Sequence, residues 1–171
     1  MADDETSGTT SEPASERVER AVQLVDATPQ AVFDLLADPQ QHAVLDGSGT
    51  VRGVVDGPVR LSLGAKFAMS MRFGVPYRIT STVVEFDEPT VIGWRHLGGH
   101  IWRYRLRAVD GGTEVTEEFD WRTSRAPLML RLIQAPTRNA AALEATLDRL
   151  AAHFATDTVD DVTVDDGDSA S

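Results

Sequence analysis

The chain contains no cysteine, so disulfides, thiol nucleophiles and cysteine-ligated metals are excluded at the outset. It also lacks a long hydrophobic run. No stretch approaches the roughly 20 apolar residues of a membrane-spanning helix, and Met1-Ala-Asp-Asp-Glu5 has neither the basic nor the apolar region of a secretory signal. A cytoplasmic protein without membrane insertion is the expectation. Phosphate-cradling loops are missing too. Gly47-Ser48-Gly49 is followed by no Gly-Lys-Ser/Thr and no helix start, and reads as the turn that closes a short helix. Without a dinucleotide fingerprint a Rossmann-type enzyme is disfavoured, and no cofactor is expected.

Basic residues are absent from both ends. Residues 1–16 carry Asp3, Asp4, Glu5, Glu12 and Glu16, and residues 155–171 carry Asp157, Asp160, Asp161, Asp165, Asp166 and Asp168, with no Lys or Arg in either segment. These acids account for the whole net charge of −11, which leaves residues 17–154 balanced. Both ends are rich in Ser, Thr, Asp and Gly, a composition of disordered, solvated tails. The expected organisation is therefore a tail over 1–16, one folded domain over 17–154 and a second tail over 155–171. A neutral domain between acidic tails attracts phosphate weakly, so no nucleic-acid partner is expected. Oligomeric state leaves no mark on the sequence.

What is present begins with the stretch 125–154. Leu143, Leu147, Leu150 and Phe154 recur at helical spacing, with Ala140, Pro136, Ile133, Leu132 and Met129 continuing the face backwards. Burying the four large residues would contribute roughly 6–12 kcal/mol before conformational entropy is subtracted. Pro136 removes a backbone bond within this span and predicts a kink or break. The half ahead of it, 128–135, is then the less tethered and the natural gate over any pocket.

The remainder is mostly strand. A strand over 16–27 precedes Thr28-Pro29, a good N-cap and first-turn pair, and a helix that Asp38-Pro39 stops. A second short helix spans about 39–45. Strands follow over 50–55, 61–72 with a bend at Gly64, 77–86, 90–96, 100–109 and 113–121, joined by turns short enough to force antiparallel pairing. The Asp110-Gly111 hairpin turn sets Tyr104 opposite Glu117 and Trp102 opposite Phe119. A Leu97-Gly98-Gly99 loop sets Trp94 opposite Trp102 and His96 opposite His100. One face then carries Trp94, Trp102, Tyr104, Leu106, Val115, Phe119 and Trp121. The other carries Arg103, Arg105 and Arg107 against Glu118, Thr116 and Glu114, a solvated, ion-paired surface whose pairs contribute tenths of a kcal/mol each, by the usual ~0.2–1 kcal/mol of such pairs.

This α+β order resembles the helix-grip fold of the START and Bet v 1-like superfamily, and within it the bacterial polyketide cyclase/dehydrase-like group. The resemblance covers 17–154 and rests on Val25-Asp-Ala-Thr-Pro-Gln-Ala-Val-Phe33, Leu36-Ala-Asp-Pro39, Asp46-Gly-Ser-Gly49, Leu63-Gly-Ala-Lys-Phe67, Val84-Glu-Phe-Asp-Glu-Pro89 and Gly112-Thr-Glu-Val-Thr-Glu117. It implies a curved antiparallel sheet of about six or seven strands wrapped around a long C-terminal helix, with two short helices after the first strand. It also implies a cavity for a hydrophobic or amphipathic small molecule, lipid- or polyketide-like. Some relatives bind without turnover and others cyclise or dehydrate polyketides.

Among the residues themselves, Glu117 is the sharpest candidate. Alternation places it among apolar neighbours, where a carboxyl must be neutral or bonded, as to Tyr104. Glu117 with Tyr104 or His100 forms the candidate acid/base set of an enzyme. Tyr77, Trp94, Trp102, Tyr104, Phe119, Trp121, Met129 and Ile133 form the candidate lining for ligand. His96 and His100, with Glu117 or His42, would bind metal only if a third ligand converged, so no metal site is assigned.

Overall fold

Turns this short leave neighbouring strands no option but antiparallel pairing, and seven strands join one sheet of order β1-β7-β6-β5-β4-β3-β2. The computed structural model describes residues 17–160. In chain order the elements are β1 (Val18–Val25), α1 (Pro29–Ala37), α2 (His42–Leu45), β2 (Val51–Asp56), β3 (Lys66–Phe73), β4 (Val75–Asp87), β5 (Val91–His96), β6 (Ile101–Val109), β7 (Gly112–Asp120), α3 (Pro127–Leu132) and α4 (Ala135–Asp160). This is a helix-grip fold: the curved sheet closes around α4, and α1 and α2 cap one end. Among the described residues no helix is long and apolar enough to cross a membrane.

The local signals act as expected at several points. Thr28 caps α1, its Oγ1 accepting from the Ala31 N–H at 3.2 Å, with Pro29 in the first turn. The β6–β7 register pairs Tyr104 with Glu117 and Trp102 with Phe119, and β5–β6 pairs Trp94 with Trp102. The strand expected over 61–72 begins only at Lys66. Residues 61–65 form a turn instead, and Leu61 donates its N–H to the Ala37 carbonyl at 2.8 Å, which ties that turn to the end of α1.

The long helix departs from expectation in two ways. It breaks fully at Ile133–Gln134, where Gln134 takes a φ of 53°, and Pro136 falls in the first turn of α4, the one place in a helix where its missing N–H costs nothing. α4 then presents Leu143, Leu147 and Leu150 to the core, while Leu132 is 83% exposed and Met129 62%. The break explains this: α3 does not continue the helical register of α4. Beyond Phe154, α4 runs on to Asp160, so the boundary expected at residue 154 lies inside the helix. The tails over 1–16 and 161–171 lie outside the described residues.

The approach of α4 to the α2–β2 turn requires one glycine. The Gly47 N–H donates to Thr146 Oγ1 at 2.9 Å, and a Cβ at residue 47 would lie 2.3 Å from the Ala142 carbonyl oxygen. Asp46 holds the rest of this turn: its carboxylate accepts from the backbone N–H groups of Ser48, Thr50 and Val51.

The outer sheet face differs most from the solvated surface expected of it. Arg103 is only 6% exposed. A row runs across the sheet through Glu85 on β4, Gly93 on β5, Arg103 on β6, Glu118 on β7 and Arg20 on β1. Because Gly93 has no side chain, the Arg103 guanidinium crosses over it to chelate Glu85, while its Nη1 reaches Glu118 at 2.7 Å and Asp120 at 3.5 Å. Glu85 and Glu118 hold the pKa of this cation above the ordinary arginine value, the hydrogen bonds to Glu85 contributing most and burial opposing them.

Candidate binding cavity

Strand alternation sends every second residue of β3 through β7 inward, and these side chains enclose a cavity of about 540 Å³ between the sheet and α4. Its floor is built by Phe67, Met69, Trp94, Trp102, Tyr104, Glu117 and Phe119; Leu36, His42 and Leu45 close the capped end, and Ala142 and Thr146 face them from α4. At the open end stand Phe73, Val75 and Tyr77 from the β3–β4 hairpin, Leu130 and Ile133 from the α3 region, and Arg138. The Arg138 guanidinium lies 4.5 Å from the centre of the Phe73 ring, joining α4 to the hairpin across the opening. Small side chains on α4 opposite large aromatics on the sheet leave this space unfilled.

The polar groups on this wall are few and mostly engaged. His42 sits between Trp94, stacked at 4.7 Å, and Phe67, with Nε2 2.9 Å from the Leu36 carbonyl, and burial holds its pKa below the ordinary imidazole value. Glu117 is 2% exposed and accepts the Tyr104 hydroxyl on Oε1 at 2.7 Å, whereas its Oε2 is buried and has no partner. Burial pushes the Glu117 carboxyl up to about 8, the Tyr104 hydrogen bond opposes this, and the nearby Asp46 charge adds to it. The acid is therefore neutral at pH 7. Tyr104 is pushed well above the ordinary phenol value, first by burial and then by Glu117, so it remains a donor.

The second polar group is histidine-rich. The His96 and His100 rings lie 4.8 Å apart, and Ser81 Oγ is 3.1 Å from His96 Nδ1. Burial lowers His96 to about 3, with His100 adding to the effect, and burial lowers His100 to about 4. Both rings are uncharged at neutral pH. No third metal-binding side chain joins them among the described residues.

The structure thus brings Tyr77, Trp94, Trp102, Tyr104, Glu117, Phe119, His100 and Ile133 to one cavity. Two residues expected in the lining do not belong to it. Trp121 lies past the last paired position of β7 and packs with Phe119 and Leu143, its ring 5.7 Å from the Arg17 guanidinium and 5.5 Å from that of Arg131. Met129 is turned outward by the break at Gln134, and Leu130 takes the inward position. Sequence reasoning missed Phe67, Met69, Met71 and Phe73, although their strict alternation marks one strand face. It did not place His42 or Asp46 in the lining, since no local pattern marks either as facing the cavity.

A family model described as polyketide cyclase / dehydrase and lipid transport matches residues 16–155, and the chain belongs to that family. An uncharacterised protein of Mycobacterium tuberculosis strain H37Rv is 40% identical over 146 residues, covering 81% of this chain and 64% of the relative. The chain thus spans somewhat less than two thirds of the length of the curated relatives it matches. The crystal structure of a Nitrosomonas europaea protein aligns with a TM-score of 0.66 at 13% identity, covering 85% of this chain and 98% of that one. The solution structure of an AHSA1-like protein from Aeromonas hydrophila aligns with a TM-score of 0.57 at 19% identity, covering 80% and 93%. These two likenesses establish the fold alone.

Proposed function

We propose that the protein binds a largely apolar small molecule, lipid- or polyketide-like, between the sheet and α4, with an uncharged oxygen of the ligand on the Glu117 carboxyl. The observation that carries this is a neutral carboxyl with a spare oxygen on the wall of an apolar cavity of about 540 Å³, within the range of roughly 300–1,000 Å³ typical of small-molecule sites. Burial without a partner costs a polar group dearly, and a ligand oxygen on Oε2 removes that cost. Native mass spectrometry of protein purified from its own host should reveal an added mass that organic solvent extracts. A protein that stays at its bare mass, and that binds no apolar compound when challenged, rules the proposal out.

Access to such a site falls to α3. None of its residues is buried, and Leu130 is its partly buried contact with the cluster of Phe119, Trp121 and Leu143. Amide hydrogens of α3 should exchange far faster than those of residues 143–150; protection as strong as that of α4 would argue against a gate.

A second reading has one observation in its favour, the Glu117 pKa of about 8. An acid titrating near working pH is suited to moving protons, and Tyr104 would hold it in place. A bound alkyl ketone is the simplest substrate surrogate. Exchange of its α-hydrogens in deuterated water, followed by NMR, should be accelerated by the protein and return to the background rate in Glu117→Gln. An exchange rate that Glu117→Gln leaves unaltered removes the enzymatic reading and leaves binding untouched.

A further inference from the structure

Most polar groups on the cavity wall already have partners. Asp46 accepts from the N–H groups of Ser48, Thr50 and Val51, Thr146 is bonded to Gly47 and Ala142, and His42 meets the Leu36 carbonyl. Arg138 and Asn139 belong to the first turns of α4, at the open end. Two groups of the lining, among the described residues, keep a fully buried polar atom without a partner. Glu117 has its buried, unpartnered Oε2, and His100 has a buried Nδ1 without a partner, against Gly98.

Both groups resolve to hydrogen-bond donors. Oε1 of Glu117 accepts from Tyr104, so the proton of the neutral acid sits on Oε2. A buried acceptor without a partner costs less than a buried N–H without one, so we assign the neutral His100 ring the tautomer with Nδ1 bare and the proton on Nε2. The two donors are well separated. Tyr104, which fixes Glu117, and His100 are four residues apart along one strand direction, a backbone distance of ~13 Å. Between them the cavity floor is Trp102 facing Phe119, their rings 5.0 Å apart.

We infer that the ligand is an uncharged, elongated apolar molecule with two oxygen acceptors, one held by Glu117 and the other by His100, its apolar framework lying across Trp102 and Phe119. Carbonyl, hydroxyl and ether oxygens all meet this requirement, whereas a carboxylate at either end does not, since neither pole carries a positive charge. The His96 ring, bonded to Ser81, backs His100 and fixes its orientation. Tyr104 is the side chain hydrogen-bonded to Glu117, and His100, four residues from Tyr104 along the strand direction, belongs to ligand recognition. This inference rests on the binding reading above.

The test uses α,ω-alkanediols from hexanediol to hexadecanediol and the monoalcohols of the same lengths, titrated by calorimetry into the full chain. A monoalcohol gains affinity steadily with chain length until the cavity is full. A diol has a second hydroxyl to strip of water, so it outbinds the monoalcohol only where that hydroxyl meets a partner. The expected result is a diol preference of about tenfold, the value of one well-made hydrogen bond, at a length that spans the two poles, with smaller preferences on either side. Glu117→Leu and His100→Phe should each abolish the preference, bringing the spanning diol to the affinity of its monoalcohol in the same variant, and circular dichroism reports that the variants are folded. A wild-type protein with no diol preference at any length overturns the inference, as does a preference that survives both substitutions, and monoalcohol binding then leaves the binding proposal standing. If neither class binds, the binding proposal falls and takes this inference with it.

Discussion

Glu117→Gln is expected to match the wild type in stability near pH 4 and to exceed it increasingly as the pH rises. The folded protein holds the Glu117 carboxyl at about 8, against 4.5 for the free group. Between those values the native state keeps a proton that the unfolded chain releases, so wild-type stability declines with rising pH. The decline begins near pH 4.5, continues through pH 8 and then levels off. Its full extent is on the order of 5 kcal/mol, at about 1.4 kcal/mol for each pH unit that separates the folded from the unfolded value. Gln is close in shape to the neutral acid, keeps an acceptor for the Tyr104 hydroxyl and does not titrate, so the variant escapes the loss. Urea unfolding of both proteins from pH 4.5 to 9 measures the difference directly. A stability gap that stays constant with pH would mean that the carboxyl titrates as an exposed one, and the neutral acid central to both functional readings would be gone.

Arg103→Met should be the most damaging single substitution on the outer sheet face. Removing one partner of a buried ion pair typically costs 3–5 kcal/mol because the opposite charge stays behind, and here Glu118 and Asp120 both stay buried. Arg122 still binds Asp120 through Nε at 2.9 Å, and Arg20 still faces Glu118 at 3.5 Å, so a loss of about 3 kcal/mol in urea unfolding at pH 7 is the expectation. The loss should shrink as the pH is lowered and the stranded carboxylates take up protons. Arg107→Met is the control. Its pair with Glu114 is of the same chemical kind on the same strand pair, but the arginine side chain is 67% exposed, and its removal should move stability by no more than about 0.5 kcal/mol. Equal effects of the two substitutions would show that burial of the row through Gly93 carries no weight.

The contrast between these arginines shows where sequence reading reached its limit. Arg103, Arg105 and Arg107 alternate identically, and their cross-strand partners were legible from the Asp110-Gly111 turn. Nothing local distinguishes Arg103. It is buried because residue 93, one strand away, is a glycine, and because Glu85 waits on the strand beyond. Trp121 and Met129 failed as lining residues for a related reason. Alternation and helical periodicity extrapolate regular geometry, and both residues lie just past the point where regular geometry ends, at the close of the β7 ladder and ahead of the break at Gln134. Pro136 announced that break but could not announce which way α3 would turn.

By itself the sequence determined the order of elements, the antiparallel pairing, the register of β5, β6 and β7, and hence the meeting of Glu117 with Tyr104 on an apolar face. These follow from short-range rules: turn chemistry, a period of two, and loops too short to cross over. The tertiary structure alone decided that the space above that face stays open, that His42 and Asp46 border it, that Glu117 keeps a free oxygen, and that His100 lines the same cavity with its Nδ1 buried and without a partner. Those outcomes depend on how small residues of α4, such as Ala142, oppose aromatics from strands scores of residues away. Packing between elements so distant in the chain has no local signature to read.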